Sequence, residues 1–143
     1  MSDGLKLESR TGRAGEKSGP IYGFLTDMRN FDRFIPSEIV TEWEAGKERC
    51  SFVVSPAGRV EMAVTEREDG KMVKYEGTGL NGTGFTIWIQ LKEGQDRETY
   101  FRITLKAGLN PLIAAMAKKP LNDFLEKLVT GIENWSDWDI ITE

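Results

Sequence analysis

The chain has 143 residues, 39% of them apolar and 29% charged, which predicts one globular domain over residues 1–143 and excludes a disordered chain. Its formal net charge of −4 leaves no basic surface of the kind that binds nucleic acid. Histidine is absent, which excludes a Ser-His-Asp triad, a Cys-His pair and a histidine-ligated metal. We therefore predict no catalytic residue, metal or cofactor.

The location of the protein is suggested by its cysteine content and its apolar segments. Cys50 is the single cysteine and cannot form an intramolecular disulfide. The first residues contain no apolar segment typical of a secretion signal. The longest apolar run, residues 112–117, is far shorter than the roughly 20 residues that span a bilayer. We expect a cytoplasmic protein without integral membrane association.

Two short helices are predicted near the amino terminus. Ser18 can cap the first, and Pro20 suits its first turn. Asn30 can cap the second, which Pro36 prevents from continuing.

Over residues 40–109 the apolar positions recur with a period of two, which predicts strands that each bury one face. Short connectors rich in Gly and Pro imply that neighbouring strands are antiparallel. The alternating positions are Cys50, Phe52 and Val54; Val60, Met62 and Val64; Val73 and Tyr75; Phe85, Ile87, Ile89 and Leu91; and Phe101, Ile103, Leu105 and Ala107.

A long amphipathic helix is predicted to begin at the N-cap Asn110 and to end near Asn134. Pro120 lies inside it and predicts a kink between a short arm and a longer one. One apolar stripe is expected to contain Ile113, Met116, Leu121, Phe124, Leu125, Leu128, Val129 and Ile132. The elements together predict an α+β protein, because only this helix is long enough to cover the apolar face of the strands.

This order of elements, with residues 21–31 (IYGFLTDMRNF) and Pro36, resembles the START-like (SRPBCC, Bet v 1-type) helix-grip superfamily. Residues 50–58, 66–68, 88–90 and 109–111 resemble a bacterial polyketide cyclase-like branch of it. The resemblance implies a curved antiparallel sheet of six to seven strands around the C-terminal helix, with two short helices after the first strand. It also implies a cavity for a lipid, sterol or polyketide between sheet and helix.

The expected partner is therefore a small hydrophobic or amphipathic molecule. The residues predicted to line its cavity are Phe52, Val54, Met62, Val64, Glu66, Tyr75, Phe85, Ile87, Ile89, Phe101, Ile103, Met116, Phe124 and Leu128. Superfamily members that act as cyclases or aromatases, or as protein-binding modules of the Hsp90-ATPase-activator type, supply two alternative functions. An enzyme would need a carboxylate or a Tyr with a shifted pKa inside the cavity.

Two of the predicted lining residues are polar. Continued alternation from Val64 places Glu66 on the cavity side, where a carboxylate needs a partner or becomes neutral. The alternative is a Glu66 at the strand end, in solvent or paired with a nearby Lys or Arg. The hydroxyl of Tyr75 could orient a ligand, or the ring could simply pack in the core. Cys50 alternates in step with Phe52 and Val54, so we expect it to be a core residue rather than a nucleophile.

Two further motifs have a structural and a functional interpretation. Gly77, Gly79 and Gly82 form the pattern GxGxxG, but a strand follows them, which favours a hairpin loop beside the cavity entrance over a nucleotide site. Trp88 is expected on the outer face beside Tyr100 and Arg102. Such a cluster is typical of cross-strand packing, or of a homodimer or partner surface.

Overall fold

The computed structural model describes residues 4–33, 40–54, 58–79 and 83–135. Two short strands, β1 (Leu5–Glu8) and β2 (Gly12–Ala14), precede helix α1 (Ser18–Leu25) and a 3₁₀ helix (Met28–Arg33). Six strands and a long helix follow: β3 (Val40–Ala45), β4 (Arg49–Val54), β5 (Gly58–Glu68), β6 (Met72–Gly79), β7 (Thr83–Glu93), β8 (Thr99–Ala107) and α2 (Pro111–Asn134). The predicted α+β fold is confirmed.

The eight strands form one antiparallel sheet in the order β1-β8-β7-β6-β5-β4-β3, and β2 also pairs with β8. The count exceeds the expected six to seven because the N-terminal segment contributes two strands. β1 pairs with residues 104–107 of β8 and β2 with residues 99–101. Between them, Ser9 donates its N–H to the carbonyl of Ile103, and its hydroxyl accepts the N–H of Ile103. The two strands therefore act as one interrupted edge strand.

The two short helices differ in detail from the prediction. Lys17, rather than Ser18, is at the N-cap of α1 and makes no side-chain cap. Asn30 lies within the 3₁₀ helix, and its side-chain amide donates to the carbonyl of Phe24. The stop expected at Pro36 lies outside the described residues.

The glycines at positions 77 and 79 belong to β6 rather than to a hairpin loop. A side chain at Gly77 would overlap the carbonyl of Glu61 and approach the Cβ of Met62 to 2.7 Å. At Gly79 it would come within 2.9 Å of Val60. These glycines therefore permit close approach of β5 and β6, while Gly82 lies outside the described residues.

Helix α2 begins as predicted, because the Asn110 side chain accepts the N–H of Ile113 at 3.0 Å. It continues through Pro120 without a break, so the kink stays a prediction. Its C-terminal part (residues 125–134) contains all of its buried residues and packs on β1, β2 and β8, whereas its N-terminal part (residues 111–124) contains none. No helix of the described chain is long and apolar enough to cross a membrane.

Candidate ligand-binding site

One end of the inner sheet face, here called the closed end, is filled by Tyr75, the 3₁₀ helix and α1. The Tyr75 hydroxyl donates to the carbonyl of Leu25 at 2.9 Å, and its ring packs on Phe31 with centroids 5.5 Å apart. Complete burial is the main reason that the pKa of Tyr75 lies far above its ordinary value. The hydroxyl already has a partner in the fold, so this geometry favours core packing over ligand orientation.

The C-terminal part of α2 is fastened to the closed end by Arg10, which lies between β1 and β2. Its guanidinium donates to both carboxylate oxygens of Glu133, at 3.1 and 3.0 Å, and to Glu126 at 3.0 Å. It also donates to the hydroxyl of Thr130, while Glu133 accepts the backbone N–H of Arg13. The hydrogen bond from Arg10 holds the pKa of Glu133 below its usual range.

The opposite end, here called the open end, begins at the row Cys50, Met62, Gly77, Phe85 and Ala107, whose neighbours pair across the sheet, and continues toward Phe52 and Val54 on β4. The next row consists of Val64, Tyr75, Ile87 and Leu105, all of them large. Two of the five residues in the open-end row, a glycine and an alanine, have almost no side chain. The inner face is therefore less filled at the open end.

Half-buried apolar side chains lie on both sides of the open end. On the sheet, Trp43 stacks on Phe52, with ring centroids 5.4 Å and planes 26° apart. On the N-terminal part of α2, Ala117 and Phe124 pack against the core while remaining partly accessible. Only three residues separate β8 from α2, so the first turns of the helix stay near Ala107. The open end thus combines apolar walls with incomplete burial, which is typical of a ligand pocket.

Most of the predicted lining residues lie on the inner face. Those that are buried are Phe52, Met62, Val64, Tyr75, Phe85, Ile87, Ile89, Phe101, Ile103 and Leu128, whereas Val54 and Phe124 are half-buried. The strand pairing divides them between the two ends. Met62 and Phe85 belong to the open end, whereas Ile89 and Ile103 lie two rows closer to the closed end than Phe85 does. Whether any of them contacts a ligand stays a proposal.

Glu66 is not on the cavity side. The register of β5 and β6 shifts after Val64, which pairs with Tyr75, so that Glu66 pairs with Lys74. This β-bulge inserts Thr65 and reverses the alternation that the sequence suggested. Glu66 is consequently exposed, and its carboxylate lies 3.4 Å from the ammonium of Lys74 on the outer face. The alternative interpretation, a solvent-exposed Glu66 paired with a lysine, is the correct one.

Met116 is also misplaced by the prediction, because 69% of it is exposed. It lies nine residues before Leu125, which at 100° per residue is half a turn around the helix. Leu125 faces the core, so Met116 points away from it. The predicted apolar stripe of α2 therefore contained residues from more than one face of the helix.

Trp43 is a site residue that the sequence analysis missed. The register of β3 shifts between Thr41 and Glu44, and Glu42 has a φ of 54°, so the simple alternation fails in this strand. Thr41 and Glu42 are both exposed, and Trp43 returns to the inner face. The signal that could have found it is an aromatic residue close to the predicted start of the strand region.

The thiol of Cys50 is a buried titratable group on the inner face of β4. Burial raises its pKa to about 12, so at neutral pH it is a protonated thiol in apolar surroundings. This is consistent with the predicted core role. Glu93 at the end of β7 has the inner-face parity of Ile89 and Leu91, and its carboxylate accepts the backbone N–H of Ser18 in α1 at the closed end.

The outer face has two open depressions, of about 550 and 570 Å³, that meet at Glu76 and Gly77. The side chains around the first include Glu44 and Glu61. Both depressions are open to solvent, and the side chains beside them, among them Glu61, Glu76 and Lys106, alternate with the buried ones and so belong to the face opposite α2. They are not the apolar cavity that the fold predicts.

Trp88 is on the outer face as expected, but its neighbours differ from the prediction. The register places it opposite Lys74 and Thr104, and the ammonium of Lys74 lies 5.8 Å from its ring centroid. Tyr100 pairs instead with Lys92. The expected cluster with Tyr100 is therefore replaced by a cation–π contact with Lys74.

The sequence matches no protein-family model and no curated protein. Solved structures do resemble the chain. A conserved protein from Geobacillus kaustophilus superposes with a TM-score of 0.61 at 16% identity, over 90% of this chain and 95% of its own. A START superfamily protein from Mycobacterium smegmatis gives 0.63 at 12% identity, over 90% and 94%. Truncated norcoclaurine synthase from Thalictrum flavum gives 0.64 at 8% identity, over 95% and 99%. The chain has the START-like helix-grip fold.

Proposed function

We propose that the protein binds a small apolar or amphipathic molecule at the open end, between the inner sheet face and the N-terminal part of α2. The observation that supports this most directly is the incomplete burial of apolar residues that pack against the core, namely Trp43 and Val54 on the sheet and Ala117 and Phe124 on the helix. Burial of these apolar surfaces by a ligand would contribute about 25 cal/mol of binding free energy per Å².

The chemistry of the open end favours a ligand with a ring system or a long apolar chain. The stacked pair of Trp43 and Phe52 offers a flat aromatic surface, and Met62 offers a deformable one. Lipids, sterols and polyketide-like molecules have this character. A START superfamily protein and norcoclaurine synthase are among the structures with this fold, which is consistent with such ligands.

Binding without chemistry is favoured over the cyclase or synthase alternative by the titratable groups of the inner face. Tyr75 has a raised pKa, and its hydroxyl is hydrogen-bonded to the backbone. Cys50 is a protonated thiol, and Glu66 lies on the outer face. An acid–base mechanism needs a group that changes protonation near neutral pH, and none of these three provides it at the open end.

Two substitutions two residues apart in α2 test the proposal. Ala117→Trp puts a large ring on the half-buried side of the helix that faces the sheet, whereas Ala115→Trp puts the same ring on the exposed side. With the fluorescent fatty acid cis-parinaric acid and the dye 8-anilinonaphthalene-1-sulfonate as probes, we expect A117W to weaken binding by about tenfold or more. A115W should bind as the wild type does.

Thermal unfolding of both variants separates blocked binding from loss of the fold. The proposal is wrong if the folded wild type binds neither probe, or if A117W and A115W bind them equally well. Native mass spectrometry of the purified wild type adds an independent readout, because a co-purified lipid should be absent from A117W.

A further inference from the structure

The outward side of the N-terminal part of α2 exposes large apolar side chains. Leu112 is 71% and Met116 69% exposed, and the four-residue spacing places them on the same side of the helix. Ile113 flanks them and is 38% exposed. We call these three residues the outward patch. It lies on the side away from the core, so ligand binding inside the fold does not explain it.

The segment that contains the outward patch has a charge opposite to that of the whole protein. Residues 99–122 contain no Asp or Glu, although the chain has a net charge of −4. Their cations are Arg102, Lys106, Lys118 and Lys119. Lys118 and Lys119 directly follow the patch and are both exposed, and Lys119 reaches Asp123 at 3.2 Å. An apolar patch beside lysines is complementary to a negatively charged apolar boundary.

A lipid surface fits this patch better than a second copy of the chain. A stable protein interface buries about 800 Å² on each partner, and two long side chains on adjacent turns cannot supply such an area. Membrane association needs only that a few apolar side chains enter the headgroup boundary while nearby lysines meet the phosphates. The lack of a membrane-spanning helix in the described residues is consistent with a helix that lies on the surface.

We propose that the outward patch docks the protein reversibly on the surface of an anionic lipid bilayer. Leu112 and Met116 enter the headgroup boundary, and Lys119, which lies seven residues after Leu112 on the same side of the helix, binds its phosphates. The docking surface and the open end belong to opposite sides of the same part of α2. Docking does not depend on the proposed ligand, because the bilayer itself is the partner.

Vesicle flotation with the full chain tests the docking. We expect the wild type to float with vesicles of phosphatidylcholine and phosphatidylglycerol but not with pure phosphatidylcholine, and added salt should release it. The double variant Leu112→Ser, Met116→Ser should lower the bound fraction by about tenfold, and Lys119→Gln by about fivefold. Matched controls are Tyr100→Ser, which removes an exposed aromatic ring from the outer sheet face, and Lys127→Gln, on the C-terminal part of α2.

Three results would overturn the docking proposal: no flotation of the wild type, equal flotation of the double variant, or equal losses in the two controls. Sedimentation equilibrium of the same proteins tests a second copy as the occupant. A dimer that the double variant disperses, without vesicle binding, would assign the patch to self-association. Probe binding in the absence of vesicles should be unchanged in the double variant, so failure of docking and failure of ligand binding are distinguishable.

Discussion

The two parts of α2 belong to one helix with apolar residues along its whole length, yet they relate to the sheet in opposite ways. Leu128 and Ile132 in the C-terminal part are almost completely buried. Arg10 binds Glu133 on the exposed side of this part of the helix and so connects it to the strands. In the N-terminal part, Leu112 and Met116 are mostly exposed. Apolar composition therefore does not decide what a helical residue does. Its angle relative to the sheet, and the contacts that hold the helix there, decide it.

The sheet repeats this contrast. At the closed end its inner face is filled by Val64, Tyr75 and Ile87, and the Tyr75 hydroxyl is bound to α1. At the open end the corresponding positions are Met62, Gly77 and Phe85. Stability is thus concentrated where the helix is buried and fastened, and the other end is where we propose that a ligand binds. This division is characteristic of folds that keep a rigid frame beside a binding region.

The largest effect should come from shortening a buried side chain in the C-terminal part of α2, and the same change in the N-terminal part should have almost none. Leu128→Ala removes a fully buried side chain and leaves a cavity, so the free energy of unfolding should fall by about 2–5 kcal/mol. Met116→Ala removes an exposed side chain and should change it by less than about 0.5 kcal/mol. Urea unfolding followed by circular dichroism measures both. Equal losses in the two variants would contradict the difference in packing between the parts.

A smaller effect is expected from filling the glycine positions of the open end. Gly77→Val would force a side chain against Glu61 and Met62, and overpacking of this kind costs about 1–3 kcal/mol. Gly84→Val is the matched control in the adjacent strand, since the nearest atom to a side chain there is the Gly77 carbonyl oxygen at 3.9 Å. Thermal unfolding compares the two. A destabilised G84V beside an unchanged G77V would show that β5 and β6 are not in close contact at Gly77.

Much of the fold could be predicted from the sequence because its signals are regular and local. The alternation in β4 and β5 up to Val64 and the cap at Asn110 are visible in single segments, and both are present in the structure. Strands β1 and β2 could not be delimited, since four and three residues are too few to show a period. They exist because both pair with the long strand β8.

The candidate site was harder to predict, because single-residue insertions change which face a side chain occupies. The bulge at Thr65 moved Glu66 to the outer face, and the irregular backbone at Glu42 returned Trp43 to the inner one. Neither a threonine nor a glutamate marks a bulge in a sequence. Met116 was misassigned for another reason: apolar residues cover more than one face of α2, and only packing against the sheet selects one.

The smallest expected effect is the pH dependence of the Arg10–Glu133 contact, which fastens the C-terminal part of α2. Because Arg10 holds the pKa of Glu133 below its unfolded value, the contact stabilises the fold fully above the unfolded pKa of about 4.3. The stabilisation is lost as the pH falls through the folded pKa. Glu133→Gln should therefore reduce the free energy of unfolding by at most about 1 kcal/mol at neutral pH, since water screens this partly exposed pair.

The difference between wild type and E133Q should shrink as the pH is lowered below about 4, because protonated wild-type Glu133 then resembles the glutamine. Urea unfolding at a series of pH values measures this difference. Glu61→Gln, on the outer sheet face, serves as a control for the general effect of removing one negative charge. If the E133Q difference were independent of pH, the carboxylate charge would not be what binds Arg10. The C-terminal part of α2 would then be held by its buried apolar residues alone.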